Sequence, residues 1–195
     1  MAVVQTGLTL EEFLQLPEEK PALEYVDGVV SQKMAPKGPH GGLQAELAFR
    51  FKVYLHLNPI AQVYTELRVS RESRASLVPD LAVYRIDRIP TTPEGLVADD
   101  FWLPPDIAVE IASPGQSVPE MTRRANTLLG SGVPVVTLIE PRVQHVRIAR
   151  LGQPIASYQG DDVVAIEDVL PGFSVVVRDL FATLQVRRPD EGAGR

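Results

Sequence analysis

A chain of 195 residues with 45% hydrophobic and 23% charged side chains has the make-up of one globular domain, which excludes a disordered or fibrous protein. Nineteen basic against 25 acidic groups leave a net charge of −6, which argues against a passive nucleic-acid coat but not against an enzyme with one local groove. There is no cysteine, so disulfides and thiolate zinc sites are excluded.

Of the 19 basic residues 15 are Arg, which confines any chemistry that needs a lysine to Lys20, Lys33, Lys37 or Lys52. The N-terminus lacks the basic start and apolar core of a signal peptide, and the longest apolar run, residues 133–139, is too short to span a bilayer. A cytoplasmic protein without membrane contact is expected.

In chain order, Thr9-Leu10-Glu11-Glu12 is a capping box that opens a short helix ending at Pro17. Residues 23–33 read as a hairpin, because Asp27-Gly28 between Tyr25-Val26 and Val29-Val30 is a strong two-residue turn signal. After a loop over residues 35–42, Leu43, Leu47, Phe51 and Leu55 recur every fourth residue and predict a helix over about 43–57. Strands follow at 62–69, 78–84 and 106–112, the last two separated by a proline-bearing loop, 85–105, long enough to act as a lid or binding loop.

Ser117-Val118-Pro119-Glu120 is a second capping box, and its helix ends near Gly130–Gly132. Residues 133–139 form a continuously apolar strand, buried on both faces, and 143–150 alternates beside it. Short strands near 162–166 and 173–177 complete the domain. The expectation is a mixed-sheet α/β (α+β) fold in a single domain over residues 1–186, with 187–195 a flexible polar tail.

The informative feature is a pair of acids within apolar strands. Asp80 lies opposite in facing to Leu81 and Val83, and Glu110 opposite to Ile107, Val109 and Ile111. Both share their face with alanines (Ala82; Ala108 and Ala112), which leave space. Two carboxylates facing one gap suit a hard divalent cation; on pattern alone, solvent-facing acids paired with Arg fit as well. Glu24 could add a third oxygen from the hairpin or be an edge acid. His40, in Pro36-Lys37-Gly38-Pro39-His40-Gly41-Gly42, could touch a phosphate or have no role. His56 and His145 occupy surface-like positions. There is no Gly-x-Ser-x-Gly elbow, phosphate loop or dinucleotide fingerprint.

Taken in order, Leu23-Glu24-Tyr25-Val26-Asp27-Gly28-Val29-Val30, His40, Pro79-Asp80, Val109-Glu110-Ile111-Ala112-Ser113-Pro114, Gly132-Val133-Pro134 and Leu170-Pro171-Gly172-Phe173 resemble the Uma-two family of the PD-(D/E)XK nuclease superfamily, over about residues 8–184. The resemblance implies a restriction-endonuclease-like fold, a central mixed β-sheet flanked by helices, and Mg²⁺- or Mn²⁺-dependent hydrolysis of phosphodiester bonds in nucleic acid, with DNA the expected substrate. Asp80 and Glu110 match the metal-binding, catalytic acids. Glu24 is carried over as a third acid near the metal, and His40 as a contact either to the substrate backbone or to the groups behind the metal ligands. The superfamily lysine would fall at Ala112; in this family it sits on the next helix, where the matching residue is Arg124, which stays charged and cannot act as a base. The usual aromatic positions nearby are Leu128 and Thr137 here.

The leading expectation is thus a metal-dependent endonuclease. The rival is a nuclease-fold protein without turnover that binds nucleic acid or serves assembly, and a third reading is a hydrolase of another phosphoester. Sheet edges that need protection, and the habit of similar nucleases, lead to the expectation of a twofold homodimer.

Overall fold

A computed structural model describes residues 2–71 and 74–186; the expected tail at 187–195 lies outside the described residues. Strand β1 (Ala2–Thr6), not foreseen from the sequence, precedes helix α1 (Leu10–Leu14). Thr9 Oγ1 accepts from the Glu12 N–H while the Glu12 carboxylate accepts from the Thr9 N–H, which is the expected capping box. Strands β2 (Leu23–Val26) and β3 (Val29–Gln32) enclose Asp27 and Gly28, both at positive φ (45° and 85°), as a tight two-residue hairpin turn requires.

Helix α2 (Gly38–Leu57) begins about five residues before the expected start. Pro39 fits its first turn because an N–H there would lack an intrahelical partner in any case. His40 therefore rides on a helix, where a loop was expected.

One expected strand is split and another starts late, behind a short strand that was not foreseen. The segment read as one strand over 62–69 becomes β4 (Ala61–Thr65) and β5 (Val69–Arg71), broken at Glu66, whose φ is 50°. In place of 78–84 the chain forms β6 (Ala75–Leu77) and β7 (Leu81–Arg85). The break falls at Val78-Pro79-Asp80, where Pro79 has no N–H to give a ladder. Asp80 thus sits at the mouth of β7, not in mid-strand. Next come β8 (Ile107–Ile111), α3 (Val118–Gly130) behind the Ser117/Glu120 capping box, β9 (Val135–Glu140), β10 (His145–Arg150), β11 (Ala156–Gln159), β12 (Val163–Ala165), β13 (Ser174–Val176) and α4 (Val177–Phe181).

The strands form a six-stranded mixed sheet, β11-β10-β9-β8-β7-β4, a five-stranded sheet, β1-β3-β2-β6-β5, and a β12-β13 pair. Among the named strands of the described residues, β8 and β9 are the pair that runs parallel, with α3 as the crossover between them. Helix α2 buries Leu43, Leu47, Phe51 and Leu55 against Leu81, Val83, Ile107, Val109 and Ile139 on one face of the large sheet. Helix α3 buries Met121, Ala125, Leu128 and Leu129 against Ala108, Val136 and Leu138 on the other. The long loop is anchored near its end by Phe101, buried with its ring 4.9 Å from Tyr84 and 5.2 Å from Tyr64, and none of its residues lines the cavity beside Asp80 and Glu110. No helix among the described residues is long and apolar enough to cross a membrane.

Candidate active site

Sheet register brings the two acids together. Strands β7 and β8 pair Leu81 with Val109 and Ala82 with Ala108. One step further along this register, Asp80 lies alongside Glu110, on the face away from the α2 core. Asp80 is 1% exposed. Its Oδ2 accepts from the Ile111 N–H (2.7 Å) and from His40 Nε2 (3.0 Å), and its Oδ1 accepts from Lys33 Nζ (2.7 Å). Burial pushes the Asp80 carboxyl up, but the His40 hydrogen bond and the Lys33 charge outweigh it and hold the group down at about 2. It is a carboxylate at neutral pH. Because a carboxylate only accepts, His40 carries its proton on Nε2.

Glu110 is positioned from the other side by α3. Its Oε1 accepts from Arg124 Nη2 (2.8 Å), and Arg124 spends the rest of its fork on Glu24: Nη2 to Oε1 (2.7 Å) and Nη1 to Oε2 (2.8 Å). Glu24 Oε1 also accepts from the Val78 N–H (2.7 Å). Burial pushes Glu110 up to about 7 against the pull of the Arg124 charge. Burial works against the Arg124 charge too, yet Glu110 and Glu24 more than reverse that, so it stays a fixed cation. Glu110 Oε2 takes no hydrogen bond from the described residues.

Asp80 and Glu110 line one small cavity of about 30 Å³, edged also by Glu24, Lys33, His40 and Arg124. A wider groove of about 660 Å³ opens on its flank and shares Lys33, His40 and Asp80 while adding Gln44, Glu66 and Arg68. All five residues singled out in the sequence thus meet at one place. Among the described residues, no group of three or more His, Cys, Asp or Glu side chains is arranged to hold a metal ion. Two carboxylates nonetheless match what Mg²⁺ uses, since it keeps several waters and takes one or two acids. The hard oxygen pair Asp80 and Glu110, with Glu110 Oε2 not engaged by any described residue, fits a divalent cation. Both oxygens of Glu24 are engaged by Arg124 and the Val78 N–H, so its observed part is to clamp Arg124.

Lys33 is the participant that sequence reasoning missed. Its ammonium contacts Asp80 Oδ1, the Val78 carbonyl (2.8 Å) and Glu66 Oε2 (3.2 Å). The available signal was its rarity: it is one of four lysines, placed just past the end of a hairpin strand.

This geometry can be set beside known proteins. The Uma2 family, described as "Putative restriction endonuclease", matches residues 10–184. The chain belongs to the Uma2 family. A crystal structure titled as that of "a putative nuclease belonging to DUF820" from Anabaena variabilis ATCC 29413 superposes with a TM-score of 0.86 at 33% identity, covering 92% of this chain and 100% of that one. No curated protein matches. The fold of this Uma2 chain is therefore restriction-endonuclease-like, as expected from the motifs.

Proposed function

We propose that this Uma2 protein is a metal-dependent endonuclease that hydrolyses phosphodiester bonds in nucleic acid, with DNA as the substrate. The observation that carries the reading is the pair of buried carboxylates, Asp80 and Glu110, side by side on one cavity that opens into a groove. These two residues would hold Mg²⁺ or Mn²⁺, which when bound lowers the pKa of a water and offsets charge on the phosphate. Glu24 is carried into the proposal as a supporting acid that acts through Arg124.

The chain's own groups have distinct tasks. His40 and the Ile111 N–H fix Asp80 Oδ2 and keep the carboxylate ionised. Arg124, tied to Glu24, orients Glu110 and puts a permanent positive charge beside the cavity, where it favours the negative charge that builds on a phosphate during attack. It cannot take a proton from water. His40 lines the groove, but its ring is buried with Nε2 on Asp80, so it acts by holding Asp80 and not on the sugar-phosphate backbone. The second reading, a nuclease fold that binds nucleic acid without turnover, is favoured by the locking of Arg124 and by Ala112. The homodimer is proposed on two observations: α2 exposes Phe49, Val53 and Leu57 in one apolar stripe on its outer face, and β4 is an edge strand of the large sheet.

Labelled double-stranded DNA and RNA, incubated with the full chain in Mg²⁺ or in EDTA, test the proposal. Mg²⁺-dependent internal cleavage that Glu110→Gln removes supports the enzyme. Binding of the same substrate with no cleavage in Mg²⁺ or Mn²⁺ supports the rival. Light scattering at the assay concentration reads the dimer directly, and a monomer mass rejects it.

A further inference from the structure

Among the described residues three groups hold the Asp80 carboxylate, and they differ in how far each can move. The Ile111 N–H is backbone within β8. His40 is a short ring fixed in the first turn of a 20-residue helix, with a side chain 6% exposed. Lys33 stands one residue beyond β3 on a four-carbon stem with three rotatable donors, and its side chain is 13% exposed. Of the three, only Lys33 can leave without moving the backbone.

It also has somewhere to go. Its ammonium bridges two carboxylates of unlike exposure: Asp80, 2% exposed, at 2.7 Å, and Glu66, 45% exposed, at 3.2 Å. Glu66 adopts the left-handed φ of 50°, uncommon for a residue with a side chain. It is held there by its own N–H, which donates to the Asp80 carbonyl, and by Gln44 Nε2, which donates to its Oε1 (3.0 Å). Lys33 lines both the inner cavity and the outer groove, so space for the movement exists.

We propose that Lys33 is an exchangeable internal cation: it occupies Asp80 Oδ1 in the metal-free protein, gives up that oxygen to an arriving divalent ion, and swings toward Glu66 into the groove, where its charge meets the phosphate backbone of a nucleic acid. The proposal rests on the reading of Asp80 and Glu110 as metal-holding residues. Two cations cannot share one carboxylate oxygen at hydrogen-bond distance without strong repulsion. A tethered ammonium competes at high effective concentration, so metal binding is an exchange and not a simple addition. Phosphates that engage Lys33 in the groove remove the competitor, and by linkage nucleic acid and metal each tighten the other's binding.

Calorimetric titration of Mn²⁺ into the full chain tests this, using wild type, Lys33→Gln and Glu66→Gln, with and without a phosphorothioate DNA duplex that resists cleavage. Lys33→Gln is expected to bind Mn²⁺ about tenfold more tightly than wild type. Glu66→Gln is expected to bind it more weakly, because Lys33 loses its outer partner. The duplex should tighten Mn²⁺ binding in wild type, and this coupling should shrink in Lys33→Gln. Equal or weaker Mn²⁺ binding by Lys33→Gln overturns the exchange and leaves the metal site intact. Absence of Mn²⁺ binding in all three proteins overturns the metal reading and the exchange together. Should Lys33→Gln fail to fold, Glu66→Gln decides alone, at an exposed side chain: unchanged or tighter Mn²⁺ binding there overturns the proposal.

Discussion

Strand β8 carries a buried acid at each end, and the two have opposite surroundings. Asp106, just before the strand and 3% exposed, is filled on both oxygens: Oδ2 by the Arg85 N–H (2.9 Å), Oδ1 by Arg88 Nη1 (2.6 Å) and Arg85 Nε (3.3 Å). Arg88 then closes the ring on the Pro104 carbonyl (2.9 Å). Glu110, near the far end and 7% exposed, meets an Arg on one oxygen and a cavity shared with Asp80. Both are buried acids beside arginine, so burial and ion pairing do not by themselves mark a site. A second carboxylate and open space do. One end of β8 ties down the long loop, and the other faces the cavity that Glu110 shares with Asp80.

The largest expected effect separates the ends by activity. Asp80→Asn and Glu110→Gln should each lower Mg²⁺-dependent cleavage by about 10²–10³-fold. Asp106→Asn should change single-turnover cleavage by less than about threefold while costing about 1–3 kcal/mol of stability. An Asp106→Asn protein as inactive as Glu110→Gln would break the comparison.

Stability separates the two arginines next. Arg124→Ala strands Glu24 and Glu110 together in the interior and should cost about 3–5 kcal/mol in urea unfolding with EDTA present. Arg88→Ala should cost less, since the Arg88 side chain is 24% exposed and Arg85 still holds Asp106. Equal losses would show that the Glu110 end is no more demanding than the closed one.

The pH dependence of the metal-free protein sharpens the contrast within the site. Glu110 is raised from 4.5 to about 7, so the folded state binds the proton more strongly. Stability is therefore lost as pH rises from about 4.5 through 7, by on the order of 3 kcal/mol. Glu110→Gln should flatten that fall. Asp80, lowered from 3.8 to about 2, has the opposite sign: its contribution is present above about 4 and is lost as pH falls through 2. Urea midpoints in EDTA at pH 3, 5 and 8 read both.

The smallest effect concerns how Arg124 is delivered. Ser117 Oγ caps α3, and Ser117→Ala should cost about 1 kcal/mol with little change at the Asp106 end. Amide exchange in α3 against the loop near Arg88 would detect it. A loss of protection shared equally by both regions would contradict the assignment.

Much of this was legible in the chain itself. Asp27-Gly28, the two capping boxes and the four-residue stripe of α2 follow local rules and formed where they pointed. So did the facing of Asp80 and Glu110, because side-chain alternation in strands is strict. The missed parts have other causes. Pro39 and three nearby glycines hid the first turn of α2, and with it His40's seat on a helix. The break at Val78-Pro79-Asp80 was obscured by the apolar run around it. The Glu24–Arg124 fork joins residues 100 apart in sequence, beyond any local pattern. Lys33 after a hairpin strand reads as a surface lysine, and only the tertiary fold turns it inward.

The central claim is that the open end of β8, with Asp80, holds a divalent cation and the closed end does not. Crystals grown or soaked in Mn²⁺, with diffraction recorded near the manganese edge, test it directly. The account predicts an anomalous peak bounded by the Asp80 and Glu110 carboxylates, at ligand distances of about 2.0–2.3 Å, and none at Asp106. Full Mn²⁺ exposure with no peak between Asp80 and Glu110 would contradict it.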